Sequence, residues 1–272
     1  SLMKVVSDEE GVMYACNLAS DGDFKIYRWA DLSAEPTVAL QQHVGGRFGD
    51  VLEIHGSGTD TKLYASARNG TEIKVFGTED GENFAEVQSI PIPSGGANGG
   101  ISVATDSTLW INGAWSSVTK VDTAGNVLVE TSGIEDYYGN VLYMEGAHGE
   151  KLLGVNANHS EGNRRKMMVY DITENEASPQ FWGSAEMGVV EQGNPNVSGN
   201  IKYRLNDDNT VTVFQMATNN GIASWNMELP RHDNDLTLKF EDDSDIENWG
   251  NHDEVSASTQ FSHDSDGEAL HM

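Results

Sequence analysis

Short strand-like runs of apolar residues recur along the chain, separated by polar turns rich in Gly, Asn and Asp. Four of these runs open in the same way, with a Gly and a small residue before the apolar positions. They cover 49–54, 99–103, 139–144 and 199–203, and each is followed by a second and a third run. No helical period continues over a dozen residues, so the pattern predicts an all-β chain.

A fifth repeat precedes these four and begins with a strand over 3–7. Repeats of about 40–60 residues, each with three or four strands, are typical of β-propeller blades. We therefore predict a β-propeller with about five recognisable four-stranded blades over 1–230. The five blades could close a ring or form part of a larger one. A linker and a short acidic C-terminal segment over 231–272 complete the predicted organisation.

Charge narrows the range of partners. The chain carries 43 acidic and 16 basic residues, a formal net charge of -27. Such a surface repels nucleic acid and anionic membranes, so we expect neither as a partner. It suits a salt-adapted protein, because added NaCl screens the self-repulsion. No apolar run reaches the ~20 residues of a membrane helix, and the first residues lack the apolar core of a signal peptide. We expect the chain to be cut from a longer precursor.

Cysteine and metal signals are few. The single cysteine, Cys16, lies in an apolar run and is predicted to be a buried strand residue. The eight His residues are scattered without zinc-site spacing. Calcium is the metal that the sequence favours, because Asp242, Asp243 and Asp245 form an acidic turn of hard oxygen ligands. A solvent-exposed acidic turn without metal is the alternative.

The loops that lead into the inner strands of a propeller form one rim of its central channel. In this chain they carry amides, a carboxylate, a guanidinium and aromatic rings, which are the groups that bind sugars. The candidate ligand-binding residues are Arg47, Phe48, Asp50, Asn98, Tyr138, Asn140 and Asn200. Alternatively, small polar side chains at these places satisfy the backbone of a crowded channel.

Evidence for catalysis is weak. A glycoside hydrolase needs two carboxyl groups, and Asp50 is the catalytic candidate if the protein is an enzyme. The equivalent positions of the other repeats hold Gly100, Asn140 and Asn200, none of them acidic. The chain is therefore predicted to be non-catalytic. Among the tryptophans, Trp115 and Trp182 lie near turns and are candidates for stacking on a ligand. The tryptophans Trp29, Trp110 and Trp225 are interpreted as packing between blades.

The runs FKIYRW at 24–29, AEPT at 34–37 and GRFGD at 46–50 resemble uncharacterised β-propeller domains of large secreted bacterial proteins. The resemblance implies a secreted or cell-surface location, a glycan or polysaccharide partner, and neighbouring domains in a longer precursor. It brings no catalytic residues.

The segments 236–249 and 264–270 resemble the opening of a jelly-roll carbohydrate-binding module, with a strand ending Phe-Glu, an acidic turn, a Trp and a Gly-Glu-Ala-Leu run. Alternatively, 236–240 forms the outer strand of the fifth blade, followed by an acidic tail. Together these features predict a non-catalytic recognition or scaffold domain of a polysaccharide-acting protein. The alternatives are a five-bladed glycoside hydrolase with a channel carboxylate pair, and a purely structural or protein-binding propeller.

Overall fold

The computed structural model describes most of the chain up to Pro230 and three short strands beyond it. The described ranges are 2–68, 70–92, 97–113, 118–134, 140–156, 166–186, 199–217, 221–230, 237–238, 262–263 and 270–271. Only the backbone is described at 97–99, 113, 199, 217 and in the last three strands. Contacts divide the chain into two compact units, Ser1–Pro230 and Arg231–Met272.

Five antiparallel sheets, here called blades, follow one another in the first unit, and the strands of each pair in chain order. Blade 1 holds β1 Leu2–Ser7, β2 Met13–Asn17, β3 Ala19–Trp29 and β4 Thr37–Phe48. Blade 2 holds β5 Val51–His55, a 3₁₀ turn Gly58–Asp60, β6 Lys62–Ser66, β7 Glu72–Thr78 and β8 Phe84–Pro91. Blade 3 holds β9 Ala97–Val103, β10 Leu109–Gly113, β11 Val118–Val121 and β12 Val127–Glu130.

Blade 4 holds β13 Val141–Glu145, β14 Lys151–Asn156, β15 Lys166–Asp171 and β16 Gln180–Glu186. Blade 5 holds β17 Gly199–Leu205, β18 Thr210–Ala217 and β19 Gly221–Glu228. The predicted all-β, five-bladed β-propeller is confirmed. Blade 5 differs from the prediction, because its described residues form three strands rather than four. No helix in the described part of the chain has the length and hydropathy of a membrane span.

Glycine is required where the inner strands begin. Gly49 has φ 92°, and a Cβ there would lie 2.3 Å from the carbonyl oxygen of Asn17. A Cβ on Gly100 would lie 2.5 Å from the backbone nitrogen of Val141 in β13. The Gly that opens the sequence repeats therefore allows a left-handed conformation at one place and close contact between neighbouring inner strands at another.

Aspartates hold several of the hairpin turns. Asp80 Oδ1 accepts hydrogen bonds from the backbone N–H groups of Glu82 and Asn83, at 2.8 and 2.7 Å. Asp122 Oδ1 accepts one from the N–H of Asn126 at 2.8 Å. Side-chain bonds of this kind stabilise turns by replacing a backbone acceptor. Part of the acidity of the chain is therefore structural.

These turns predict a particular loss of stability in acid. Hydrogen bonds from Asn83, Asn126 and Thr210 lower the pKa values of Asp80, Asp122 and Asp208, respectively. Because the native pKa values lie below the unfolded value of about 3.9, their stabilisation is present above that pH and is lost as pH falls below it. Thermal melts from pH 6 to pH 2 should show a falling melting temperature below about pH 4. A melting temperature unchanged between pH 4 and pH 2 would contradict this.

Apolar clusters fill the seams between consecutive blades. The seam of blades 1 and 2 includes Phe24 and Phe76, and that of blades 2 and 3 includes Ile73 and Leu109. The remaining clusters contain Trp110 with Tyr143, between blades 3 and 4, and Met144 with Val213, between blades 4 and 5. The Trp110 ring is fully buried and stacks on Tyr143 with centroids 6.5 Å apart, so its predicted role in inter-blade packing is confirmed.

In the part of the chain that the structure describes, the seam between blades 5 and 1 is held by a polar contact rather than by an apolar cluster. Asn200 Nδ2 of β17 donates a hydrogen bond to the carbonyl oxygen of Val5 in β1 at 3.4 Å. No buried apolar cluster spans this seam over the described residues. On β18, Phe214 and Met216 alternate with residues packed on blade 4, and each is 38% exposed. Val5 is 52% exposed. The ring is thus joined at its inner strands but lacks an apolar seam further out among these residues.

The second unit contains a small sheet. Its strands are β20 Thr237–Leu238, β21 Ser262–His263 and β22 Leu270–His271, and β22 pairs with both of the others. Thr237 and Leu238, which the sequence also allowed as part of an outer strand of blade 5, pair with Leu270–His271 instead. The resemblance of this segment to a carbohydrate-binding module stays a prediction.

Candidate functional site: the central channel

The first strands of the five blades surround a common axis. Each of β5, β9, β13 and β17 contacts the inner strand of the blade before it. The Asn200–Val5 hydrogen bond links β17 to β1. The end of the channel at which these strands begin is here called the channel mouth; there Gly100 of β9 lies beside Asn140 and Val141.

An ion pair forms one side of the channel mouth. Arg47, at the end of β4, donates from Nε to both carboxylate oxygens of Asp50, at 3.0 and 2.9 Å, and from Nη2 to Oδ1. Asp50 Oδ2 also accepts the backbone N–H of Arg68 at 2.8 Å. The Asp50 side chain is 5% exposed, whereas that of Arg47 is 42% exposed. The hydrogen bonds to Asp50 raise the pKa of the Arg47 guanidinium, and they fix its orientation in a pair whose charges balance.

Two further contacts cross the channel between blades that are not neighbours. Lys202 of blade 5 forms a salt bridge with Glu53 of blade 2. Lys4 of blade 1 donates from Nζ to Asn140 Oδ1 of blade 4 at 3.1 Å. The hydrogen-bond series continues to Asn156, whose Oδ1 accepts the backbone N–H of Asn140 at 2.9 Å. Charged and amide groups therefore cross the channel and link blades that are not neighbours.

Burial changes the chemistry of two channel neighbours. It lowers the pKa of the Lys4 ammonium to about 8, and the nearby charge of Lys202 acts in the same direction. Glu53 and Asp50 oppose the shift. Lys4 pairs across the strand with Cys16, whose fully buried thiol has its pKa raised to about 12 by burial. Cys16 is therefore a buried strand residue, as predicted, and its thiol donates to the carbonyl oxygen of Gly49 at 3.5 Å.

The predicted rim residues have different positions. Asp50, Asn140 and Asn200 lie at the starts of inner strands and Arg47 lies near the end of β4, but Phe48 belongs to the core. Its ring is 6% exposed and packs edge-on against Phe24 with centroids 4.9 Å apart. It is thus not available to stack on a sugar. The other predicted site residues lie outside the side chains that the structure describes; they are Asn98, Trp115, Tyr138, Asp242, Asp243 and Asp245.

The sequence did not identify Lys4, Lys202 and Asn156 as channel residues. Lys4 and Lys202 lie on the inner strands that were predicted, but their partners belong to distant repeats. Only closure of the ring brings them together.

Calcium binding at the acidic turn stays a prediction, and the described residues contain no group of three or more His, Cys, Asp or Glu side chains that could hold a metal.

Comparison with known proteins shows the fold. The sequence matches no family model and no curated protein. A DUF4623 family protein from Bacteroides eggerthii is similar in structure, with a TM-score of 0.65 and 16% identity over 82% of this chain and 57% of that one. The chain thus spans little more than half of that protein. A protein of unknown function from Dyadobacter fermentans has a TM-score of 0.52 and 10% identity over 84% of this chain and 79% of its own.

Proposed function

We propose that residues 2–230 form a non-catalytic recognition domain that binds carbohydrate at the channel mouth. The observation that carries the proposal is the polar cluster around β1, where Lys4 bonds Asn140, Asn200 bonds the carbonyl oxygen of Val5, and the charge of Asp50 acts on the Lys4 ammonium. Amides and paired charges offer donors and acceptors in fixed directions, which sugar hydroxyls require. Asn140 and Asn156 are buried and hydrogen-bonded to each other, so they support the mouth from below, whereas Asn200 is partly exposed and is the amide that a bound ligand would meet.

Ion pairing favours binding over hydrolysis. A glycosidase acid must give a proton to the leaving oxygen while a second carboxylate attacks or activates water. Asp50 is held by Arg47 and Glu53 by Lys202. Proton transfer by either carboxyl group would require the loss of an ion pair. The two carboxylates therefore serve as anchors for the cations.

The proposed domain belongs to a larger secreted protein. The resemblance of the propeller to domains of large secreted bacterial proteins supports a location outside the cell, beside other domains of a polysaccharide-acting protein. The resemblance of 236–270 to the opening of a carbohydrate-binding module supports the same substrate class.

A glycan array and a reducing-sugar release assay on the same oligosaccharides test this function. The full chain should bind at least one glycan without releasing sugar. Arg47→Lys keeps a positive charge beside Asp50 but removes the planar fork, and should weaken binding by about tenfold, equivalent to ~1.4 kcal/mol. Arg204→Ala is the control, because Arg204 is exposed near the other end of β17. Circular dichroism should show that both variants are folded.

The other outcomes decide between the alternatives. Sugar release that Asp50→Asn abolishes would favour the glycoside hydrolase. The absence of both binding and release across the panel would favour a structural or protein-binding propeller.

A further inference from the structure

A groove separates the outer strands of blades 4 and 5, away from the channel. Its volume is about 410 Å³. The lining is mainly apolar and includes Met167, Val169, Trp182, Gly183, Trp225 and Met227. A cavity of this size and composition, open to solvent, can take several apolar side chains.

The groove lies at the place where blade 2 has its fourth strand. In blade 2 the fourth strand, β8, pairs with β7 and sets Phe84 against Tyr14 of blade 1, with ring centroids 5.5 Å apart. In blade 5, β19 pairs with β18, and its other edge carries no strand among the described residues. An edge strand of this length presents a row of backbone donors and acceptors to solvent.

A local irregularity directs Trp182 into the groove. Along β16, Gly183 pairs with Val169 and Phe181 pairs with Tyr170, so Trp182 is the extra residue of a β-bulge. Bulges change the direction of a side chain. The Trp182 indole N–H donates to the carbonyl oxygen of Glu228 in β19 at 3.0 Å, which fixes the ring while leaving it 42% exposed.

We propose that β19 and this groove bind an extended strand of a partner protein, which becomes the fourth strand of blade 5. The partner backbone pairs with the edge of Gly221–Glu228, and alternate apolar side chains enter the groove, as in β-strand addition. The outward positions of the partner are basic, because Glu186 lines the groove, Glu228 ends β19 and the chain carries a net charge of -27. The arrangement repeats the inter-blade packing of blades 1–4 with a strand supplied from outside.

Gly183 provides the main test. A Cβ at Gly183 would meet nothing within 4 Å, and the same holds for Gly45 on β4 of blade 1. Gly183→Leu should therefore fill the groove without strain, and Gly45→Leu is the matched control. The probe is a synthetic peptide that copies residues 82–93, which contain the fourth strand of blade 2, with two lysines added at each end. Binding to the full chain is followed by tryptophan fluorescence and by hydrogen exchange of the β19 amides.

The expected result is saturable binding with slower exchange along β19. Gly183→Leu should weaken it at least tenfold and Gly45→Leu should not change it. Trp182→Ala should also weaken peptide binding. Because Trp182 is partly exposed, this variant replaces Gly183→Leu as the test if the latter fails to fold. The proposal is overturned if the peptide does not bind, if a scrambled peptide binds equally well, or if Gly183→Leu binds like the wild type. It is also overturned if the groove variants abolish self-association in light scattering, or if an oligosaccharide gives the same β19 protection.

Discussion

Replacing Phe24 with Ala should lower the free energy of unfolding by about 3–5 kcal/mol, the range for removing a fully buried aromatic ring. Phe24 is completely buried at the seam of blades 1 and 2. It packs against Phe48 in its own blade and against Phe76 in the next, with ring centroids 4.9 and 6.0 Å away. Its loss leaves a cavity that the backbone turn at Gly49 cannot close without moving.

Urea denaturation of the purified chain measures this effect, with the midpoint falling and the slope unchanged. Val87→Ala is a suitable control, since Val87 is 61% exposed on β8 and its truncation should cost less than about 0.5 kcal/mol. A loss below about 1 kcal/mol for Phe24→Ala would show that the seam does not hold the two blades together.

Stability should also depend on Lys4 at alkaline pH. The pKa of Lys4 is about 8 in the folded chain and 10.5 for an ordinary lysine. Between these values the unfolded chain binds more protons than the native one, so the Lys4 contribution to stability rises with pH. Below pH 8 both states are protonated and the contribution is constant. The full change is about 3 kcal/mol, from a shift of two to three pKa units.

Other groups also titrate at alkaline pH, so variants of Lys4 are needed to isolate its contribution. The Cys16 thiol, for example, lowers the stability above pH 9, because its pKa is raised in the native state. Lys4→Met and Lys4→Arg both remove the titration, and the Arg variant retains a buried charge. The stability of the wild type relative to each should increase by about 3 kcal/mol from pH 7.5 to pH 10.5, measured by urea denaturation. Parallel pH profiles for wild type and Lys4→Met would contradict the assignment.

The repeat pattern predicted the architecture because each blade is a local unit. The Gly-plus-small openings at Gly49 and Gly100 mark inner strands, since both backbones need the space that glycine leaves. The inner strand predicted over 3–7 is β1 Leu2–Ser7, within one residue. The glycine openings and the strand bounds depend on residues that are close in sequence, so the repeat pattern of the sequence reveals them.

The channel and the groove depend on relations that sequence periodicity does not contain. Lys202 and Glu53 meet only because the ring closes, and 149 positions separate them. Phe48 precedes an inner strand, as a rim residue should, but its ring faces the core. Trp182 was a candidate for stacking, yet its direction depends on a bulge that shifts the alternation of β16 by one residue.

The unequal seams determine how the ring opens. Among the residues that the structure describes, blades 2, 3 and 4 each pack against two apolar clusters, whereas blades 1 and 5 each pack against one. In arrays of repeats the stability is roughly a sum over neighbouring pairs, and the terminal units open first. Fluctuations of this propeller therefore begin where Asn200 meets Val5. Each opening would expose the polar side chains of the inner strands, such as Lys4 and Lys202, to solvent along this seam.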